Sequence, residues 1–367
     1  MLVHTGQTVA GLPARVTELT DAGAHGVQLF FVASAFTLFA SLHRRARAEA
    51  HPTLNFFLRR VFRIAPPFWL AILFYLWWKG TGPQYWAPHG ISWRDVAATA
   101  AFAHGWTPTT INSVVPGGWS IAVEMSFYLL VPALFTRLNS LRRCVWFFVA
   151  CVIGQAVLNA AMRPVFWGML ADDEKYLAGL MHNLWLPTQL PVFAAGFALY
   201  YAVAPYLGRA ADARPPSPAS ARPSAGLALM FAAAVVAELY LAPRSTFWGS
   251  VFAILAAGLA LRPTRLLVNA ATRYLGEISY SGYLVHFAVL DIAARVIRHF
   301  LRPVTPHPVL FLTLLYAAVV LGSTAVATVA RQLVEEPARL AGRRVVAALE
   351  RRSAARIVRN LQDSLDT

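Results

Sequence analysis

The sequence has little acidic charge and almost no cysteine. Its 367 residues include 17 Asp and Glu and two cysteines, Cys144 and Cys151. On one helix these cysteines would lie about 10.5 Å apart along the axis, too far for a disulfide bond within that helix. No Cys-x-x-Cys pair or metal-type Cys/His cluster accompanies them. We therefore expect two small apolar core residues and no metal site.

Signatures of several enzyme and targeting classes are also missing. There is no GxSxG, Walker A, HExxH, GxGxxG or kinase motif, which removes support for a serine-triad hydrolase or an ATP-driven transporter. The alternating ten-residue segments of a β-barrel are absent. Residues 1–11 carry neither a basic n-region nor a cleavage site, so we do not expect a signal peptide there.

Apolar residues dominate the chain instead. They make up 57% of it, and the mean hydropathy is +0.52, which predicts an all-α, polytopic membrane protein. The net charge of +15 falls mainly in loops between apolar runs, so membrane topology explains it and nucleic acid is not an expected partner. Nine runs qualify as full spans: 26–42, 64–78, 117–135, 144–162, 186–207, 225–242, 246–261, 274–298 and 308–333.

Loop charges predict the orientation of these spans. The loops 43–63, 137–143, 208–223 and 262–273 are Arg-rich, as is the tail 335–367, so we place them in the cytoplasm. Within them, 209–224 is rich in Pro, Ser and Ala and indicates a flexible linker. The tail indicates a juxtamembrane helix with a disordered end. The exception is a basic cluster at an outer end, which either snorkels or lines a site: Arg295, Arg298 and Arg302.

Residues 1–11 resemble the back half of a helix whose front half is missing. We expect nine full spans plus this partial first helix, a membrane domain over 1–334 and a cytoplasmic tail over 335–367. The complete protein would then have both termini in the cytoplasm. The outer segment 79–118 contains an apolar piece, 95–104, that is too short to cross a membrane alone.

Glu124 is the most informative charge, because it lies about two turns inside an apolar span. A charge at membrane depth costs roughly 2.5–3.5 kcal/mol and usually faces a functional interior. His4 is expected at a similar depth, where a His with a carboxylate partner would make a general base. The alternatives are a packing ion pair between Glu124 and an arginine, and a solvated terminal His4.

Two further groups of residues have candidate roles. Arg59, Arg60 and Arg63 precede the 64–78 span and suit phosphate binding, although positive-inside topology explains one or two of them. A polar stripe lies inside the span 274–298. Its residues fall at i, i+4 and i+7 and share one helical face: Ser279, Tyr283 and His286. Substrate binding is one role for this stripe, and interhelical hydrogen bonding is the alternative.

Five stretches resemble, in order, landmarks of the acyltransferase-3 family of integral-membrane O-acyltransferases. They are GVQLFFVASAFTL, FFLRRVFRIAPPFWL, GGWSIAVEMSFYLLVPAL, GEISYSGYLVHF and LVEEPARLAGRR. The resemblance implies ten helices, and transfer of an acyl group, usually acetyl, from cytoplasmic acyl-CoA to a hydroxyl of a sugar or lipid-linked glycan. The family's histidine, arginine pair and carboxylate match His4, Arg60 with Arg63, and Glu124.

Two departures from the family pattern stand out. Ala35 replaces a glycine, so a close backbone approach there is expected to change. The family also has an Arg or Lys separated from its histidine by ten residues, whereas this chain starts three residues before His4. We expect a misassigned start codon; a degraded, inactive homologue is the alternative.

The resemblance implies a bacterial inner-membrane O-acetyltransferase that uses acetyl-CoA as co-substrate and acts among membrane lipids on a cell-surface polysaccharide or lipid-linked glycan. No tightly bound cofactor is expected. His4 would act as the general base or relay the acyl group, and Glu124 would orient it or bind the acceptor. Candidate oxyanion donors are Trp119, Ser120 and Tyr283. A non-catalytic transporter of a small acid or glycan precursor is the alternative from another class.

Overall fold

Within the residues that the structure describes, seven helical stretches are long and apolar enough to cross a membrane. The computed structural model describes residues 1–46, 48–207, 232–236, 239–240, 244–300 and 307–365. Its α-helices are α1 Leu2–Gln7, α2 Ala14–Ala22, α3 Gly26–Arg45, α4 Pro52–Lys79, α5 Trp93–Ala100, α6 Trp119–Arg137, α7 Leu141–Gly168, α8 Tyr176–Leu184, α9 Leu186–Leu207, α10 Ser245–Leu261, α11 Ala270–Phe300, α12 Pro308–Ala330 and α13 Glu336–Leu365.

This architecture confirms the all-α membrane fold, whereas the count of nine spans stays a prediction. The expected span 246–261 is the shorter apolar helix α10, of 17 residues. The expected span 225–242 lies largely outside the described residues. So do the linker 209–224 and Arg302.

Helix α4 begins earlier than the sequence analysis expected. It starts at Pro52, a residue favoured in the first turn of a helix, and runs unbroken through Pro66 and Pro67 to Lys79. The second half of the predicted basic loop and the predicted span 64–78 therefore form one 28-residue helix. As a result, the arginines expected just outside the span lie two to three turns along a membrane helix.

Helices α3 and α9 pack closely through small residues. Ala35 is fully buried, and a Cβ added to Gly196 of α9 would lie 2.7 Å from the Ala35 Cβ and 2.5 Å from the Val32 carbonyl oxygen. The replacement of the family's glycine by Ala35 therefore does not abolish the close approach, because α9 supplies the glycine. Nearby, Phe39 and Phe197 stack at 4.0 Å between centroids.

Helix α7 carries the two cysteines, which are buried and free. This confirms the prediction of small core residues.

The segment between α4 and α6 is partly helical. Helix α5 begins with a reciprocal capping box in which Ser92 accepts from the Asp95 backbone N–H and Asp95 accepts from the Ser92 backbone N–H. With eight residues it is too short to span a membrane, as predicted. A 3₁₀ turn, His104–Trp106, follows, and the Nε2 of His104 donates a 3.1 Å hydrogen bond to the Gly118 carbonyl, just before α6.

The tail is helical and docks on the bundle. Helix α12 passes through a π-helical turn, Arg331–Glu335, into α13. A Cβ on Gly342 would lie 2.7 Å from the Phe62 Cβ of α4. Where the sequence indicated a helix and then a disordered end, the structure describes helix through Leu365.

Candidate functional site

A cavity of about 1000 Å³ opens between α1, α11, α12 and the segment that links α4 to α6. We call it the histidine cavity, because two imidazoles line it. Its lining includes His4, Gln7, Lys79, Asn112, Trp119, Ser279, Tyr283, His286, Phe287 and Ser323. Aromatic rings, amides, hydroxyls and imidazoles therefore surround a space large enough for a sugar ring.

His4 projects from α1 into this cavity. Its Nδ1 lies 3.2 Å from the Oε1 of Gln7, and its ring lies 4.4 Å from the Phe287 ring and 5.6 Å from the His286 ring, measured between centroids. An amide oxygen accepts only, so this contact assigns the proton to Nδ1 and leaves Nε2 with a lone pair. The two histidines thus share one wall of the cavity.

The polar stripe of α11 faces the same space. Ser279, Tyr283 and His286 all line the cavity, so the structure brings them to His4. The Nδ1 of the buried His286 lies 2.6 Å from the Tyr283 carbonyl oxygen, which again assigns the proton to Nδ1 and a lone pair to Nε2. The Ser279 hydroxyl donates to the Gly276 carbonyl, so it retains an acceptor oxygen toward the cavity.

The start of α6 holds the stripe in place. Tyr283 donates to the Gly117 carbonyl at 2.8 Å, and the buried Ser120 donates to the Tyr283 hydroxyl at 2.8 Å. Gly117 has a φ of +77°, and a Cβ there would lie 3.0 Å from the Tyr283 hydroxyl. Trp119 lines the cavity, whereas Ser120 supports Tyr283 from behind.

Within the described part of the chain, the hydrogen-bond partners of Glu124 do not include His4. Its Oε1 accepts hydrogen bonds from the Ser34 hydroxyl at 2.8 Å and from the Tyr128 hydroxyl at 2.5 Å. The Arg60 guanidinium lies 5.9 Å from the Tyr128 ring centroid and interacts electrostatically with Glu124. The expected pairing with His4, across the bilayer from the arginines, is therefore corrected. The reason is that the early start of α4 carries Arg60 into the bundle, beside α6.

The three predicted phosphate-binding arginines have different surroundings. Arg59 forms a two-pronged ion pair with Glu49, with N–O distances of 2.8 and 2.9 Å. The Nε of Arg60 is buried and has no hydrogen-bond partner within the part of the chain that the structure describes. Arg63 is half-buried one turn further on. Arg60 and Arg63 are thus better placed than Arg59 to receive an anion.

The sequence analysis did not identify the hydroxyl partners of two carboxylates inside the bundle, Glu124 and Glu335. Tyr128 and Ser34 hold Glu124, and the buried Glu335 accepts from the Ser281 hydroxyl at 3.0 Å. A hydroxyl at i+4 from Glu124 was a signal within the sequence, because these positions are neighbours on a helix. The partners from other helices gave no comparable signal.

Two arginines of the basic cluster lie on α11, and one of them contacts α1. Arg295 pairs with Asp291 at 2.8 Å. Arg298 donates to the Thr8 carbonyl at 3.0 Å, at the C-terminal end of α1, a favourable position for a cation. These arginines therefore pair within the bundle, and Arg298 ties the helix of His4 to the helix of His286.

Comparisons with known proteins give two matches. The family model described as an acyltransferase domain, of the acyltransferase-3 family, matches residues 1–328. The exopolysaccharide production protein ExoZ of Rhizobium meliloti is 28% identical over 190 residues, which cover 48% of this chain and 56% of ExoZ, so the match spans about half of that relative. No solved structure matches. The chain is therefore a multi-pass membrane protein with apolar helical spans that belongs to the acyltransferase-3 family.

Proposed function

We propose that this protein transfers an acyl group, acetyl, from cytoplasmic acyl-CoA to a hydroxyl of a cell-surface polysaccharide or lipid-linked glycan in the bacterial inner membrane. The family match supports acyl transfer. The printed name of ExoZ, a relative over half its length, favours a polysaccharide acceptor. Both termini of the complete protein would lie in the cytoplasm, on the Arg-rich side.

The observation that carries this proposal is the pair of imidazoles at one large cavity. His4 and His286 each keep a proton on Nδ1 through an oxygen acceptor, so each offers Nε2 as a base. His4, the more exposed of the two, would take the proton of the acceptor hydroxyl as its oxygen attacks the thioester carbon. The C–S bond then breaks, and the imidazolium returns the proton to the CoA thiolate.

The acceptor would bind in the histidine cavity. Trp119 offers an aromatic face to a sugar ring, while the hydroxyls of Ser279 and Tyr283 and the imidazole of His286 offer hydrogen-bonding groups. The Tyr283 hydroxyl is already committed as a donor to Gly117, so Tyr283 is better suited to positioning than to holding an oxyanion. Ser120 would act through Tyr283.

The donor would be held at the other end of α4. Arg60 and Arg63 would bind the phosphates of acyl-CoA by charge-assisted hydrogen bonds. Arg59 would contribute less, because Glu49 already occupies its guanidinium. Glu124, linked to Arg60 through Tyr128, would hold that arginine in place rather than orient His4.

An experiment with purified full-length protein tests this proposal. Acetyl-CoA labelled in the acetyl group is supplied with polysaccharide from a strain that lacks the protein, and free thiol release and label in the polymer are both measured. We expect equal amounts of thiol and labelled polymer. A protein that binds the acceptor yet never cleaves the thioester would instead support transport, and would contradict the proposal.

A further inference from the structure

Glu350, on the tail helix α13, caps the start of α4. Its carboxylate accepts from the backbone N–H of Ala50 at 2.8 Å, from that of His51 at 3.2 Å, and from the Asn55 side chain at 2.6 Å. The ring of His51 also meets the Ser353 hydroxyl at 2.8 Å. One turn of α13 thus holds the backbone that leads into α4.

This contact acts on the N-cap of α4 and the residue before it. A helix leaves its first N–H groups without partners, and a side chain at the N-cap usually accepts from one of them. His51 is the N-cap of α4, and it makes no side-chain cap hydrogen bond. A carboxylate brought by another helix satisfies neighbouring donors and suits the positive end of the helix dipole.

Hydrogen bonds connect the Glu350 contact to the arginines of α4. Asn55, fully buried, donates both to Glu350 and to Glu49, and Glu49 holds Arg59 by two hydrogen bonds. Further along α4, Gly342 of α13 lies against Phe62, the neighbour of Arg63. Helix α13 therefore touches α4 on both sides of the turn that carries Arg59 and Arg60.

We propose that α13 is part of the donor site, with Glu350 as a positioning residue that holds the arginine-bearing turn of α4. The family match ends at residue 328, and Glu350 lies beyond it. The inference rests on the proposed function, because it concerns the binding of acyl-CoA. It does not require Glu350 to touch the donor.

The test compares Glu350→Ala and Glu350→Gln with Arg352→Ala, an exposed change on the same helix. Losing a helix cap typically lowers the equilibrium constant for forming the local structure about fivefold. We therefore expect KM for acetyl-CoA to rise about fivefold in Glu350→Ala. The value of kcat should stay near that of the parent protein. Glu350→Gln keeps an acceptor oxygen, so its KM should lie between that of Glu350→Ala and that of the parent protein. The KM of Arg352→Ala should match that of the parent protein.

Hydrogen exchange in the same proteins separates the possible failures. The amides of Ala50 and His51 should exchange faster in Glu350→Ala than in Arg352→Ala. Unchanged exchange, or faster exchange with an unchanged KM, overturns the positioning role. A fall in kcat without a change in KM also overturns it. If the parent protein neither turns over nor binds acetyl-CoA, the proposed function itself fails, whatever the exchange at residues 50–51.

Discussion

The histidine cavity and the arginine-bearing end of α4 satisfy their polar groups in opposite ways. The cavity wall carries two imidazoles with free Nε2 atoms, and no Asp or Glu lies among the described residues that line it. At the arginine end, each of two arginines has a carboxylate partner. Glu49 forms an ion pair with Arg59, and Glu124 interacts electrostatically with Arg60, which also lies over the Tyr128 ring. The histidine cavity is therefore suited to proton transfer, and the arginine-bearing end of α4 to holding an anion.

Removing the exposed imidazole should have the largest effect. His4→Ala deletes the proposed base, and general base catalysis typically contributes about 10²–10⁴-fold, so kcat for acetyl transfer should fall by that order. The matched control is His299→Ala, because His299 is exposed near the far end of α11. Equal activity of the two variants would remove the cavity from the mechanism.

Breaking the charge network should lower stability more than it alters chemistry. Glu124→Ala leaves Arg60 without its carboxylate, and such changes cost about 3 kcal/mol when the site is buried. We expect a clear fall in Tm in detergent, and partial recovery in the double variant with Arg60→Met. Unchanged Tm with lost turnover would return Glu124 to the reacting centre.

Single arginine substitutions sharpen the contrast within the charged end. A hydrogen bond to a charged group contributes about 1.5–3 kcal/mol, so Arg63→Ala should raise KM for acetyl-CoA by about tenfold or more. Arg59→Ala should raise it less, since Glu49 already holds that side chain. Titration of acetyl-CoA turnover measures both. The reverse order would show that the Glu49 pair opens for the donor.

The smallest expected effect is a pH dependence of stability near the cavity. Burial lowers the pKa of His104 to about 4, whereas an unfolded His titrates near 6.5. The unfolded chain therefore binds the proton first, so this stability is complete above pH 6.5 and is lost as pH falls toward 4, by about 1.4 kcal/mol per pH unit. Tm measured from pH 7.5 to 5 should fall less in His104→Gln than in the parent.

The sequence predicted the helical class, the polar stripe of α11 and the family, because periodicity, composition and ordered motifs are local. It did not locate the partner of Glu124. That depended on where α4 begins, and Pro52 inside a basic, loop-like stretch shifted the arginines by two to three turns. The anchoring of α1 by Arg298 and the cap supplied by Glu350 join residues about 290 and 300 positions apart, so no sequence spacing indicated them.

In the proposed reaction, donor and acceptor bind the protein at opposite ends. Proteoliposomes of known orientation, with polysaccharide enclosed and labelled acetyl-CoA outside, test it most directly. When the arginine-bearing end of α4 faces outward, we predict label on the enclosed polymer, and no label with His4→Ala. Label that appears only when donor and acceptor are on the same side would contradict the account.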